Sequence, residues 1–316
     1  MVARTIGDLF DDRVGRHPGR EALISSPDHG RYSYGELREA VDLCARGLLA
    51  CGLRPLDRVA VWAPALAERI IVQLSLAKIG AALVCLDPAQ DSAAASVILK
   101  QSHASVLILA SSLQGIEDHV LLGQVCPEAR TSPRGQIRCA RLPTLHTVVS
   151  LGTKRPNGAY HWGDLLALGG GVRTAMLRER QLEVDPGDPV ALLYNTPPRR
   201  VPTGSHEDLL AAAAALATAF ALREHDRLCV AVPATHGRGL EAASLACLAE
   251  GATIVLPPPE LDPGSLLRTV QEERCTALYA PPLMVNALLT ARAIGQYDLS
   301  TLRTEEHAVE RRSPIT

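Results

Sequence analysis

The chain has 316 residues and a mass of 33.7 kDa, and its residues are 47% apolar and 21% charged, a balance that excludes a disordered or low-complexity protein. The formal charge of −2 and the pI near 6.6 indicate no binding to nucleic acid or to an anionic membrane. Aromatic residues make up only 3%, which argues against base-stacking platforms and aromatic carbohydrate clefts.

Helices and strands alternate through the first half of the sequence. Leu37, Val41, Cys44 and Leu48 form one apolar stripe of a helix that ends at Gly52. Strands separated by helices of this length predict right-handed βαβ units and parallel sheets, and therefore an α/β fold. The predicted elements are helices over 36–52, 66–78 and 93–101 and strands over 58–62, 82–86, 105–109 and 147–151.

The pattern is interrupted before it repeats. Prolines and a glycine over 126–143 predict an excursion on the surface, and three glycines at 169–171 predict a flexible turn or linker. We expect two α/β portions, 1–184 and 185–303, followed by a divergent charged tail over 304–316. The second portion is predicted to contain strands over 190–194, 228–232, 252–256 and 276–279 and helices over 205–222, 239–250, 264–273 and 282–293.

The cysteines indicate a reducing compartment. No CxxC occurs and no Cys/His group has the spacing of zinc ligands, so the sequence predicts no metal site. Most thiols lie in apolar runs, which predicts that they are reduced and buried. The longest apolar stretch, 209–222, is too short to cross a bilayer. We expect no membrane span and a cytoplasmic protein, or a mitochondrial one if an N-terminal transit segment is missing from this sequence.

The strongest candidate for a ligand site is the 195–204 loop, between the strand ending at Tyr194 and the helix beginning at Ser205. Ligands of open α/β sheets bind beyond the carboxyl ends of strands. A helix N-terminus that follows a glycine-containing loop attracts phosphate through free backbone N–H groups and the helix dipole. Ser205 and Asp208 form a Ser-x-x-Asp cap at this helix.

Short motifs in a fixed order carry a family resemblance over nearly the whole chain. They are TIGDL at 5–9, YGEL at 34–37, DRVA at 57–60, KIGA at 78–81, VCPE at 125–128, RLP at 141–143, DPV at 188–190, GAT at 251–253, YAPP at 279–282 and DLS at 298–300. In this order they resemble the N-terminal domain of the adenylate-forming (acyl-CoA synthetase, AMP-binding) superfamily, and above all its mitochondrial medium-chain acyl-CoA ligase branch.

The resemblance implies a fold, a reaction and ligands. It implies that both α/β portions belong to the AMP-binding domain of such an enzyme. Members of the family use ATP and Mg²⁺ to convert a carboxylic acid into an acyl-adenylate, and then transfer the acyl group to coenzyme A. For this branch the expected substrate is a medium-chain fatty acid.

The 195–204 loop departs from the family pattern, Thr-Ser-Gly-Thr-Thr-Gly-x-Pro-Lys-Gly. Matching the two assigns nucleotide binding to Thr196, Thr203 and Gly204, but Thr203 stands where the family has lysine, and both earlier glycines are absent. Three prolines, at 197, 198 and 202, have no N–H to offer a phosphate. The arginines at 199 and 200 are interpreted as solvated side chains on a stiff turn rather than as a substitute anion site. We therefore expect a degraded phosphate loop with doubtful binding of ATP and Mg²⁺.

His236 is the candidate residue of the substrate pocket, because the family has Pro-x-x-His before a glycine and this chain has Pro233, His236 and Gly237. No residue is assigned a catalytic role. The resemblance ends after Arg303, and the later family motifs, including the C-terminal domain with its catalytic lysine, have no counterpart in this sequence. No lysine follows Lys154.

Two hypotheses for function follow. The first is an AMP-forming fatty acid–CoA ligase, truncated relative to its family and impaired or inactive alone. The alternative is a non-catalytic remnant that binds an acyl chain or a full-length partner. Truncation is also expected to expose an apolar face and to favour self-association. A generic nucleotide-binding α/β protein is disfavoured, because neither GxGxxG after a strand nor GxxxxGK[ST] occurs.

Overall fold

Two sheets, both mostly parallel, form the frame of the chain. The computed structural model describes residues 5–26, 30–111, 115–192, 194–195, 199–200, 204–232, 239–290 and 294–303. The strands are β1 (Glu21–Ser25), β2 (Gly30–Ser33), β3 (Arg58–Trp62), β4 (Ala82–Leu86), β5 (Val106–Leu109), β6 (Thr147–Ser150), β7 (Tyr160–His161), β8 (Pro189–Leu192), β9 (Tyr194–Asn195), β10 (Arg199–Arg200), β11 (Gly204–Ser205), β12 (Arg227–Val230), β13 (Thr253–Leu256) and β14 (Ala277–Tyr279).

Helices connect most of these strands. They are α1 (Ile6–Arg16), α2 (Tyr34–Ala50), α3 (Ala67–Ile79), α4 (Ser92–Ser102), α5 (Asp118–Val125), α6 (Trp162–Gly170), α7 (Thr174–Leu182), α8 (His206–Ala219), α9 (Gly239–Glu250), α10 (Pro263–Glu272) and α11 (Pro282–Thr290). Sequence signals set their ends: capping boxes begin α1 at Thr5 and α2 at Ser33, and α3 ends at Gly80, which adopts a left-handed φ of 68°.

The seven-stranded sheet has the order β11-β8-β4-β3-β5-β6-β7, and the five-stranded sheet has the order β14-β12-β13-β1-β2. Within these two sheets the pairings are parallel except those of β2 with β1 and β11 with β8, and β9 and β10 form a separate antiparallel pair. The N-terminal strand β1 pairs with the late strand β13, with Leu23 opposite Ile254. Each sheet therefore takes strands from both 1–184 and 185–303, and the division at residue 184 stays a prediction about the sequence.

Helices α3 and α9 lie between the two sheets. Every residue of α3 except Glu68 is buried, and α9 is buried from Gly239 to Leu248. The main apolar core contains side chains of both helices, of β3 and β4 from one sheet and of β12 and β13 from the other. A second core, with α4 and α5, covers the opposite face of the seven-stranded sheet, and a third, with α10 and α11, covers the five-stranded sheet. The result is five alternating layers.

The predicted α/β class is confirmed, and the predicted helix over 239–250 matches α9. The eight cysteines are free thiols, seven of them buried, as predicted. The sequence reading did not identify α1, the β1–β2 hairpin, α5, α6, α7 or the two-residue strands. The two-residue strands are too short to leave a pattern, whereas α1 has a capping box and an apolar stripe, Ile6, Leu9, Phe10 and Val14, that could have identified it.

Two sequence interpretations hold only in part. Gly169 and Gly170 end α6 rather than forming a linker, because α6 packs closely against α2: a Cβ at Gly169 would overlap the carbonyl oxygen of Leu43, and one at Gly47 would overlap that of Leu165. The 126–143 segment is not only a surface excursion. It contributes buried apolar side chains to the second core, namely Cys126, Ala129, Ile137, Cys139 and Leu142.

Helix α11 exposes two large apolar side chains: Leu283 is 82% exposed and Leu289 is 67% exposed. Both side chains lie near the end of the described chain, and an exposed apolar face and association stay predictions. Among the described residues, no helix is both long and apolar enough to cross a membrane. The 304–316 tail lies outside the described residues.

Candidate functional site

The candidate site lies at the carboxyl edge of the strands, where the segment that contains His236 and the YAPP segment at 279–282 begin. Strands β12 and β14 are parallel neighbours, with Val230 opposite Tyr279. The chain therefore leaves both strands at the same edge, through residues 231–238 after β12 and through 280–282 after β14. His236 itself lies outside the described residues, as do all of 233–238.

Tyr279 contacts the element that follows the 233–238 segment. A Cβ at Gly239, the first residue of α9, would lie 3.5 Å from the Tyr279 hydroxyl oxygen. The Tyr279 ring also meets the ring of Phe220 edge to face, with 5.7 Å between their centroids. The structure thus brings the start of α9 and the Tyr279–Pro282 segment together at one place.

The 195–204 loop is described only in part. Thr196 and Thr203 lie outside the described residues, whereas Gly204 is described and buried. Gly204 pairs with Ala191 in the antiparallel β11–β8 contact, so it is part of the sheet edge. Before it, the short strands β9 and β10 form an antiparallel hairpin in which Asn195 lies opposite Arg199.

The N-terminus of α8, which follows this loop, has its first backbone donors already engaged. Ser205 N donates to Asp208 Oδ2 at 2.9 Å, and Asp208 N donates to Ser205 Oγ at 3.1 Å. Glu207 N donates to the carbonyl oxygen of Pro186 at 3.2 Å. A phosphate needs free N–H groups and is repelled by carboxylates, and here the first turn carries both Glu207 and Asp208. In the described part of this region, the amides of Ser205, Glu207 and Asp208 are therefore already paired and are not free to bind a phosphate.

His206 joins the N-terminus of α8 to the N-terminus of α1. It is buried, and its Nδ1 accepts a hydrogen bond from Ile6 N at 3.2 Å. Burial lowers the pKa of His206 to about 4 from its ordinary value of 6.5, so the ring is neutral at pH 7. Its proton then resides on Nε2, and its role is to satisfy a first-turn amide of α1.

A buried ion pair fixes the start of α9 between the sheets. Arg69 of α3 and Glu241 of α9 are each 1% exposed, and Arg69 Nη2 lies 3.0 Å from Glu241 Oε1. The thiol of Cys85, at 3.2 Å, donates to the same oxygen, and burial raises the pKa of this thiol well above its usual value. Gln73 Nε2 donates to the Glu241 carbonyl oxygen at 3.3 Å. Because Glu241 follows Gly239 by two positions, these contacts hold the helix that follows the 233–238 segment.

No sequence motif marks this cluster. The apolar residues that neighbour Arg69 (Ile70, Ile71) and Glu241 (Leu240, Ala242) were the available signal, because a charged residue is rarely fully buried without a partner. Sequence alone could not show that these two residues, 172 positions apart, are partners.

A group of possible metal ligands lies elsewhere. Within the described ranges, one set of three His, Cys, Asp or Glu residues has its ligand atoms within 4.8 Å of one another: Cys126, Glu128 and Cys139. Spacing predicted no metal site, because the two cysteines are 13 positions apart in sequence and the third residue is neither Cys nor His. This set is rich in sulfur, whereas Mg²⁺ prefers oxygen ligands.

Comparison with known proteins gives the family. The model of the AMP-binding enzyme family matches residues 10–305. The putative acyl-CoA synthetase YngI of Bacillus subtilis is 34% identical over 307 residues, which cover 96% of this chain and 56% of that protein. The mitochondrial medium-chain acyl-CoA ligase ACSF2 of Homo sapiens is 28% identical, over 96% of this chain and 50% of its own length. The chain thus spans about half the length of the curated relatives it matches.

Solved structures show the same fold. The N-terminal domain of FACL13 from Mycobacterium tuberculosis superposes with a TM-score of 0.75 at 22% identity, over 95% of this chain and 68% of that one. The anthranilate CoA ligase AuaEII, in complex with anthranoyl-AMP, gives 0.76 at 19% identity, over 95% and 53%. With the family match over residues 10–305, these findings establish that the chain belongs to the AMP-binding enzyme family, whose members here include acyl-CoA synthetases.

Proposed function

We propose that this chain is built on the acid-activating half of an AMP-forming ligase for medium-chain fatty acids, and that alone it is impaired or inactive. The full reaction would join the acid to AMP from ATP and then transfer the acyl group to coenzyme A. Relatives named as medium-chain acyl-CoA ligases support this substrate class. The two α/β portions, 1–184 and 185–303, would together form the AMP-binding domain.

The proposal that the chain is impaired depends on the lack of free phosphate-binding N–H groups between Tyr194 and Asp208. The amides of Ser205, Glu207 and Asp208 are already paired, and the prolines of this region have no N–H. In related chemistry the loss of one such donor lowers the rate about 10²–10³-fold. Several donors and the lysine expected at position 203 are replaced together.

The residues near the expected acyl pocket support the proposal that the chain still binds a fatty acid. Tyr279 and Phe220 lie beside the start of α9, and the adjoining 233–238 segment contains His236. An apolar pocket with a few polar groups is the usual form of a small-molecule site. His236 would face the carboxylate of the acid, and Thr196, Thr203 and Gly204 would be what remains of nucleotide contacts.

The test is magnesium-dependent exchange of labelled pyrophosphate into ATP, driven by octanoate. We expect no exchange above the background without acid, even at high enzyme concentration. Titration calorimetry with ATP and Mg²⁺ should likewise show no tight binding. Detectable octanoate-dependent exchange, or acyl-AMP accumulating with the purified protein, would overturn the proposed impairment.

A restored loop provides the matched comparison. Replacing residues 195–204 by the family sequence should strengthen ATP binding, because it returns both glycines, the amides and the lysine. The single change Thr203→Lys restores only the charge and should recover less. If the original chain, the Thr203→Lys variant and the full replacement all bind ATP equally weakly, the loop is not the cause of the weak binding.

The alternative function is a non-catalytic protein that binds an acyl chain or a full-length relative. The two exposed leucines of α11 favour a partner surface. Heat on titration with millimolar octanoate, without any exchange activity, supports this reading. Absence of heat at that concentration would contradict acyl binding under both hypotheses. A cytoplasmic location stays part of the proposal.

A further inference from the structure

Cys126, Glu128 and Cys139 lie at the opposite end of the seven-stranded sheet from the candidate site. Ile137 N donates to the carbonyl oxygen of His146, and His146 N donates to that of Ser105. Ser105 and His146 directly precede β5 and β6, so this segment crosses the amino edge of the sheet. The cluster is thus separate from the carboxyl edge, where the acid and the nucleotide would bind.

We propose that these three residues bind a Zn²⁺ ion through two thiolates and one carboxylate. In tetrahedral zinc sites the Zn–S bond is about 2.3 Å, which places neighbouring ligand atoms about 3.5–3.8 Å apart. Cys126 Sγ lies 3.8 Å from Glu128 Oε2, and all three ligand atoms lie within 4.8 Å of one another. Movements of about 1 Å or less therefore complete the coordination.

The carboxylate is already oriented for this role. Glu128 Oε1 accepts a hydrogen bond from Ala140 N at 3.2 Å, which leaves Oε2 on the side of Cys126. Such an outer contact fixes a ligand's direction in metal sites. The backbone of Glu128 is held as well, since Ser132 Oγ donates to its carbonyl oxygen at 2.8 Å.

The surroundings favour a thiophilic ion. Both thiols are buried in an apolar core, where a thiol is only a weak hydrogen-bond donor to a neighbouring carboxylate. Zn²⁺ would satisfy the carboxylate and both sulfurs at once. Glu128 is half-buried, and this gives the ion and a fourth, water ligand a route from solvent.

The proton and charge changes are defined. Binding deprotonates two thiols and releases two protons, and the ion with two thiolates and one carboxylate has a net charge of −1. Arg138 and Arg141, both exposed, flank Cys139 in the chain and can offset that charge. The site requires no oxidant, because the sulfurs stay reduced.

The test uses the whole reduced, chelator-treated chain and Co²⁺ as a spectroscopic probe. We expect one equivalent of Co²⁺ to give thiolate-to-metal charge-transfer absorption and the visible bands of a tetrahedral ion, and Zn²⁺ to displace it. Cys139→Ser and Glu128→Gln should weaken Zn²⁺ binding at least ~10-fold. Glu128→Gln is nearly isosteric and keeps an acceptor for Ala140 N, so it separates metal binding from folding.

Cys51→Ser is the matched control, since Cys51 is a free, half-buried thiol outside the cluster. It should bind Co²⁺ as the unmodified chain does. The proposal is overturned if the unmodified chain gives no thiolate–Co²⁺ absorption, or if Cys139→Ser and Glu128→Gln, still folded by circular dichroism, bind Co²⁺ unchanged. A Cys126–Cys139 disulfide that forms in air, in a protein that binds no Co²⁺ when reduced, would also overturn it.

Discussion

The imidazole of His206 accepts a hydrogen bond that only its uncharged form can accept. Nδ1 receives the Ile6 N–H, and protonation would place a second donor against it. The pKa of His206 is lowered to about 4 in the folded chain, whereas the unfolded chain has the ordinary value near 6.5. Between these values the unfolded chain binds more protons, so folding stability falls as the pH decreases from about 6.5 to about 4.

We predict that His206→Asn flattens this part of the stability profile. An asparagine Oδ1 can accept from Ile6 N but does not titrate. The contribution of His206 amounts to about 3 kcal/mol across this pH range. Urea unfolding at several pH values gives the unfolding free energy of both proteins. The difference between them measures the contribution of His206, because the other titrating groups are the same in both. Parallel profiles from pH 4 to 6.5 would show that His206 does not cause the acid sensitivity.

Single residues are where the sequence was least informative. The Ser205–Asp208 cap was predicted and is present, because capping is a contact between neighbours in sequence. That this cap occupies backbone N–H groups which a phosphate would need was not predicted. Nor was the contact of His206 with Ile6, since 200 positions separate them and no short motif encodes such a pair.

Among the secondary-structure elements, a buried ion pair connects α3 and α9, the two helices that lie between the sheets. Arg69 and Glu241 are fully buried, and Arg69 Nη1 also donates to the carbonyl oxygen of Ala63 at 3.0 Å. Removing one member of such a pair leaves an uncompensated buried charge. Replacing both by apolar residues avoids that penalty.

We predict that Glu241→Ala destabilises the chain by about 3–5 kcal/mol. The double change Arg69→Met with Glu241→Leu should be much closer to the original stability. Glu250→Ala, at the less buried end of the same helix, should change stability by no more than about 0.5 kcal/mol. The midpoints of urea unfolding measure the stability change of all three variants, provided that the slope of unfolding free energy against urea concentration stays constant. A similar loss from Glu241→Ala and Glu250→Ala would rule out the proposed role of the ion pair.

Continuous apolar runs bounded by turn residues were sufficient to predict several elements. The helix over 239–250 and the strands over 58–62 and 82–86 were predicted with their observed bounds. Helix α6 was missed because its end contains glycines, which ordinarily mark loops. There they permit close packing on α2, and that requirement is visible only once both helices are placed.

For the whole molecule, the fold class and the family followed from the sequence, because βαβ alternation and motif order are global patterns. The sequence did not show that each sheet contains strands from both ends of the chain. The sequence of a buried parallel strand does not identify the strand that lies beside it. Within the candidate site, the structure describes Gly204 in β11, but its nucleotide-binding role stays a prediction, as do the roles of Thr196, Thr203 and His236.

We predict that the exposed leucines of α11 promote self-association. The double change Leu283→Glu with Leu289→Glu should lower the average mass measured by light scattering at high micromolar concentration, because exposed apolar patches drive association. Leu182→Glu is the control, since Leu182 is 86% exposed but stands on α7. A monomeric original protein at that concentration would contradict the prediction, as would an equal effect of Leu182→Glu.

The pairing of β1 with β13 has a consequence for synthesis on the ribosome. Leu23 is translated 231 positions before its partner Ile254, a delay of roughly ten to fifty seconds at 5–20 residues per second. During this time the β1–β2 hairpin of the nascent chain presents an apolar strand with an open edge. Slower translation ahead of Thr253 should lengthen the period in which newly made chains depend on chaperones, and faster translation should shorten it.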